Sequence, residues 1–233
     1  MGDSRVRCDA MFLDAGGVIV LPHRRLVRDA LAGAGVRIDA QAVAPAHYRA
    51  VRLLEQGRAT GYLEALARAL GVGAERMGTA LAALTPLADR RRSGEILWSE
   101  PAPDAQRTIA ALRRAGIAVV VVTNSDGHAE ENLREARICQ VGDGPGERVA
   151  AIVDSRLVGS EKPDTEIFRV ALARAQVDRA AVMHVGDMMS TDVAGARRAG
   201  IAPIHLDPAR VCRARDHRHV RSLWGIWRHV ARP

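Results

Sequence analysis

The chain has 233 residues, 48% of them apolar but only seven aromatic (three Trp, two Tyr, two Phe), so aliphatic residues and alanine must fill its interior. That length supports one full core with a modest second lobe, and the composition is that of a globular protein rather than a disordered one. The net charge of +7 fits an anionic partner, a phosphate-bearing small molecule as readily as nucleic acid, or a general preference for arginine.

From the N-terminus, Met1–Asp9 is polar, and the apolar stretch Met11–Val20 is interrupted by Asp14. No secretory leader is predicted from that pattern. No apolar run approaches the ~18 residues of a membrane span, so the cytoplasm is the expected location. Ala10–Leu13 is the first of five short apolar runs that read as buried strands. The others are Ala118–Val122, Ala150–Val153, Ala181–Val185 and Pro203–Leu206. Helical patterns separate them: Ile109 and Leu112 lead to Gly116; Ile167, Phe168, Ala171, Leu172 and Ala175 share a stripe; Val193, Ala196 and Ala199 end at Gly200, a helix stop signal. Strands alternating with helices predict an α/β fold, a doubly wound parallel sheet covered on both faces.

Residues 22–97 differ. Leu26, Val27, Ala30, Leu31 and Ala34 form one helical stripe, Leu63, Leu66, Ala67 and Leu70 a second, and Met77, Ala80, Leu81 and Leu84 a third. No strand pattern interrupts them, which predicts an inserted all-helical domain over 22–97, with 1–21 and 98–233 forming the core. Near the C-terminus, Asp207–Pro233 holds seven arginines, three histidines and two aspartates, with Trp224 and Trp227 interleaved. A nucleic-acid surface would fit that mixture. Val220, Leu223, Ile226 and Val230 recur at helix-like spacing, however, and favour a packed final element with a solvated basic face. The three cysteines, Cys8, Cys139 and Cys212, are odd in number and lack finger-type spacing, so neither a disulfide framework nor a zinc site is predicted.

Polar residues gather where the predicted strands end. The first runs into Asp14-Ala15-Gly16-Gly17, the second into Thr123-Asn124-Ser125-Asp126, and the fourth into Gly186-Asp187 with Asp192 five residues on. Carboxyl ends of parallel strands are where such sheets bind ligands. Lys162 is the only lysine among 34 basic residues, and a compact ammonium does work that a planar guanidinium cannot. Two carboxylates, a hydroxyl and that lysine would make a site for phosphate and a divalent metal. Oxygen donors suit Mg²⁺, with Asp14 and Asp187 supplying carboxylates and Gly16 a main-chain carbonyl. Asp14 would act as a carboxylate nucleophile, Lys162 would offset its charge and that of the phosphate, and Thr123 would hydrogen-bond phosphoryl oxygens. Asp126, His128 and His23 are candidate acids without an assigned role. His184, inside an apolar strand, reads as a core histidine.

These segments resemble the four motifs of the haloacid dehalogenase superfamily, in order, from about Met11 to Ile204: the first strand with Asp14, then Thr123, then Lys162 before a proline, then Gly186-Asp187…Asp192. The stretch GDMMSTDVAGARRAG is the most specific of them. The resemblance implies a Rossmann-type core with a small helical cap, and a Mg²⁺-dependent phosphatase or phosphotransferase acting on a small phosphorylated metabolite through an aspartyl-phosphate. It implies Asp14 and Lys162 as catalytic, Thr123, Asn124 and Lys162 as substrate-binding, and Asp14, Gly16, Asp187 and Asp192 as the metal site. One departure stands out. The family's phosphatases usually carry an aspartate acid two residues after the nucleophile, where this chain has Gly16. Loss of a positioned acid costs ~10²–10⁴-fold in rate. Two other readings therefore stay open, a degenerate binding protein that keeps Mg²⁺ affinity and a dehalogenase-like hydrolase.

Overall fold

The computed structural model describes residues 6–88 and 95–231. Parts of two expectations, the end of the helical insertion at 89–94 and the last basic residue Arg232, lie outside the described residues. The chain forms two compact units, Met1–Val20 with Pro101–Pro233, and Leu21–Glu100.

The larger unit is built on a six-stranded sheet. Its strands are β1 (Ala10–Leu13), β2 (Ala118–Thr123), β3 (Ala151–Asp154), β4 (Val182–Gly186), β5 (Ala202–Leu206) and β6 (Arg218–Val220), in the spatial order β6-β5-β4-β1-β2-β3. Every neighbouring pair is parallel, with Leu13 opposite both Val121 and Val185. The apolar runs are unbroken because both faces are covered. Ala10, Phe12, Val120, Val122, Ala151 and Val153 pack with Ile167, Phe168 and Ala171 of the helix Thr165–Ala175. Met11, Leu13, Val119 and Val121 are equally buried. The helix Ala105–Arg114 buries Ala105, Thr108, Ile109 and Leu112, an i, i+3, i+4, i+7 stripe. Strand order reverses direction between β1 and β4. In doubly wound sheets that is the crevice where ligands sit.

The C-terminal segment corrects the helical reading of its apolar spacing. Val220 closes strand β6, Leu223–Arg228 is a 3-10 helix, and Val230–Ala231 pairs with Val6–Arg7. Leu223 and Ile226 are both buried because side chains three apart eclipse on a 3-10 turn. The same four apolar positions thus pack without an α-helix.

In the smaller unit the helices α1 (Arg24–Gly33), α2 (Val43–Glu55), α3 (Tyr62–Ala69) and α4 (Ala74–Leu84) enclose Val27, Leu31, Val43, Ala46, Ala50, Leu66, Ala80 and Leu84. His47 is buried there, with Nδ1 2.8 Å from the Tyr62 hydroxyl. The short strands Val20–Pro22 and Trp98–Pro101 pair at the boundary of the unit, an element the helical periodicity gave no sign of. Among the described residues, no helix is long and apolar enough to cross a membrane.

Candidate active site

All the motif residues fall in the larger unit, Asp14, Thr123 and Asp187 at the carboxyl ends of β1, β2 and β4 and Lys162 in the segment that follows β3. Asp14 follows β1 and extends its ladder, donating its N–H to the Val185 carbonyl at 2.9 Å. The chain then turns sharply. Gly17 adopts φ 75°, and the N–H groups of Val18, Ile19 and Val20 all donate to the Ala15 carbonyl. A residue with a Cβ resists that left-handed conformation. Gly16 sits half-buried in this turn.

Lys162 is the hub. Its Nζ lies 2.6 Å from Asp14 Oδ1 and 2.7 Å from Asp192 Oδ1, with its side chain 2% exposed. Asp192 is saturated: Oδ1 also meets His184 Nε2 at 3.0 Å, and Oδ2 accepts the Met188 N–H at 3.1 Å. A Cβ built on Gly186 would overlap the Asp192 side chain, so glycine is what lets that carboxylate lie against the strand end. Asp14, Asp187 and Asp192 bring carboxylate oxygens within 4.8 Å of one another, and all three residues are buried.

Electrostatics separate the two carboxylates that share the ammonium. Burial pushes Asp14 up, Asp192 and Asp187 add to the rise, and Lys162 only partly offsets them, leaving Asp14 raised to about 7. Burial acts on Asp192 in the same sense, but Lys162 and His184 overcome it and hold it well below the usual carboxylate range. Burial alone would lower Lys162, yet Asp14 and Asp192 win and keep it firmly protonated. His184 is lowered, chiefly by burial. The cluster is one positive charge facing three acids.

Thr123 ends β2 and is buried. Asn124, expected among the substrate-binding residues, has its side-chain amide engaged with the lysine main chain. Its Nδ2 donates to the Lys162 carbonyl at 2.9 Å and its Oδ1 accepts the Lys162 N–H at 2.8 Å, so both ends of the amide hold the lysine main chain. The loop after β2 is braced from β3. Asp154 Oδ2 accepts the N–H groups of Gly127 and Ala129, and Ser155 Oγ accepts from Ser125 N–H and donates to the Ser125 carbonyl. The carboxylate that satisfies the Ala129 N–H thus comes from 25 residues away. A buried Asp-Ser pair closing the third strand was the available signal. Asp126 Oδ1 accepts the His128 N–H, and His128 Nδ1 lies 3.4 Å from Glu131. His23 caps the helix Arg24–Gly33, accepting from Leu26 N–H. His184 is a core residue, as its strand position suggested, and also a support for Asp192.

Residues 8–200 match the haloacid dehalogenase-like hydrolases. The chain belongs to this family. It is 34% identical over 122 residues to the mouse haloacid dehalogenase-like hydrolase domain-containing protein 3, covering 51% of this chain and 45% of that one. It is 29% identical over 140 residues to the ribulose-1,5-bisphosphate 5-phosphatase of Halopiger xanaduensis, covering 60% and 54%. The chain thus spans about half the length of these curated relatives. In fold it is similar to the magnesium-bound HAD-hydrolase YfnB from Bacillus subtilis, with a TM-score of 0.60 at 17% identity, over 95% of this chain and 98% of that one. The match places the chain in the family of haloacid dehalogenase-like hydrolases, on the doubly wound core described above.

Proposed function

We propose that this hydrolase is a Mg²⁺-dependent phosphatase or phosphotransferase that acts on a small phosphorylated metabolite through an aspartyl-phosphate on Asp14. The carrying observation is the Lys162 ammonium between Asp14 and Asp192, beside Asp187, at the switch point of the sheet. The phosphatase named among the relatives supports the substrate class. The unit Leu21–Glu100 is assigned as the family's inserted cap.

The site suits the metal on its own chemistry. Its donors are all oxygen, as Mg²⁺ prefers, and three acids facing one ammonium leave negative charge uncompensated, which adds to the rise that burial gives Asp14. Asp14, Asp187 and the Gly16 carbonyl would hold the ion, and Asp192 would stand behind them, since its oxygens already serve Lys162, His184 and Met188. When bound, Mg²⁺ supplies charge neutralisation for Asp14 and the phosphoryl oxygens.

Asp14 then attacks phosphorus through a carboxylate oxygen; the phosphorus–oxygen bond to the leaving group breaks, and that oxygen departs with its electron pair. Lys162 stays protonated and screens the nucleophile from the anionic phosphate. Thr123, at the head of the loop that Asp154 and Ser155 brace, orients the phosphoryl oxygens, and such positioning is most of what phosphoryl transfer asks of a protein. Asn124 positions Lys162 rather than touching substrate. With glycine at 16, an alkoxide leaving group receives no proton from that position. Aryl phosphates, whose leaving groups need little protonation, are the substrates expected to turn over best.

The test is a panel of aryl and alkyl phosphomonoesters, each with Mg²⁺ and with chelator, alongside a 2-haloacid assayed for halide release. Chelator-sensitive phosphate release that favours aryl esters is expected. Halide release unaffected by chelator would install the dehalogenase reading, and Mg²⁺ binding without any turnover the degenerate one.

A further inference from the structure

Strands β5 and β6 are parallel neighbours, with His205 directly opposite His219. A parallel pair needs a crossover of about a dozen residues, usually a helix. Here residues 207–217 make the crossing without one. Asp207 shapes the loop, its carboxylate accepting the N–H groups of Val211 at 3.0 Å and Cys212 at 2.9 Å. The outcome is that Cys212 and His217 return to the two strand histidines. His217 Nε2 lies 3.2 Å from His205 Nδ1, 2.6 Å from His219 Nε2 and 3.9 Å from Cys212 Sγ. The four ligand atoms all fall within 4.8 Å of one another.

Proton positions make this arrangement informative. His205 Nε2 is 3.1 Å from the Asp187 carbonyl, which can only accept, so that nitrogen carries the hydrogen and Nδ1 presents a lone pair. His217 Nδ1 is 2.8 Å from Asp216 Oδ1, so by the same logic Nε2 presents a lone pair. Two lone pairs therefore face each other at 3.2 Å, with the His217 side chain 0% exposed. A single extra proton on His217 would serve one neighbour and leave the third nitrogen and the thiol without purpose. A cation at the centre satisfies all four.

We propose that His205, Cys212, His217 and His219 form a structural zinc site that closes the helix-free crossover between β5 and β6. Three imidazoles and a thiol are a zinc donor set, and four protein ligands make a closed, structural site. Tetrahedral zinc places nitrogens about 3.3 Å apart, close to the His205–His217 separation, and the shorter His217–His219 contact opens slightly to admit it. Burial lowers His205 and His219, favouring the neutral ligand form. Asp216 and the Asp187 carbonyl complete the outer shell, fixing ring orientation as such partners do. The cysteine spacing that argued against zinc in the sequence misses this site because two ligands come from neighbouring strands and the other two from the loop that joins them. The inference does not depend on Asp14 chemistry.

The test uses the full chain, without an affinity tag, incubated with Zn²⁺, passed through gel filtration and measured by mass spectrometry of metals. About one zinc per chain is expected, retained in Asp187→Asn, which removes a carboxylate charge but keeps the carbonyl that faces His205. Co²⁺ in place of zinc should give tetrahedral visible bands and a thiolate charge-transfer band, the latter lost in Cys212→Ser. Asp216→Asn should weaken zinc by about 10-fold, and chelator should lower the melting midpoint of the parent chain but not of Cys212→Ser. A folded parent chain that holds no zinc, or gives Co²⁺ spectra without the thiolate band, overturns the site even where a variant fails to fold. Stoichiometric zinc persisting in Cys212→Ser with His217→Ala overturns it as well.

Discussion

Asp187 belongs to both ligand clusters of the larger unit. Its carboxylate groups with Asp14 and Asp192, while its carbonyl receives His205 Nε2. On the carboxylate side three acids share one ammonium, so the surplus is negative charge on hard oxygen. On the histidine side the donors are neutral imidazoles and a thiol, and nothing is in surplus until that thiol ionises. Donor type alone separates the cluster proposed to hold a hard, exchangeable Mg²⁺ from the one proposed to hold a resident zinc. The first is suited to chemistry because charge is left over. The second is suited to holding a loop because none is.

That contrast breaks most sharply at Asp14. Asp14→Asn should reduce aryl-phosphate turnover by about 10³-fold or more while leaving zinc content untouched; equal losses of both would merge the two clusters into one structural network. Stability comes next. Asp192→Asn removes the charge from a carboxylate 1% exposed that faces Lys162 and His184, and breaking a buried pair costs about 3–5 kcal/mol. Asp216→Asn, at a carboxylate 60% exposed, should cost at most about 1 kcal/mol in zinc-free protein. Denaturant midpoints of the two variants compare them directly.

Gly16→Asp sharpens the chemical side alone. A carboxyl acid restored there should raise turnover of alkyl phosphates by about 10²-fold and change aryl phosphates little, as steady-state rates on matched esters would reveal. Stability should also drift with pH. Asp14 has a folded pKa of about 7 against an ordinary 3.8. Between those values the folded chain binds a proton the unfolded chain lacks, so stability falls as pH rises through that window. Asp192, shifted the other way, loses its contribution only in strong acid. Melting midpoints without Mg²⁺ should therefore decline from about pH 4 to 7, and saturating Mg²⁺ should flatten the decline.

The carboxylate cluster was legible because each member follows a readable strand. Asp14, Thr123 and Asp187 stand at the ends of apolar runs, and Lys162 is conspicuous in an arginine-rich chain. What was not legible depended on contacts between strands. Asp154 braces a loop from a different strand, Asn124 spends its amide on a residue 38 positions on, and His205 meets His219 only through the register of β5 with β6. Strand β6 itself was hidden, since three residues flanked by arginine and histidine carry no periodicity. The same apolar spacing in the tail fits an α-helix and a 3-10 turn alike until packing chooses between them.

The phosphatase reading rests on a covalent phosphate at Asp14, and trapping it tests that most directly. Enzyme turning over an aryl phosphate with Mg²⁺ is quenched in acid, reduced with borohydride and mapped by peptide mass spectrometry. The reading predicts homoserine at position 14 and nowhere else. Reduction product on another side chain, or an unmodified Asp14 in enzyme turning over at steady state, would contradict it.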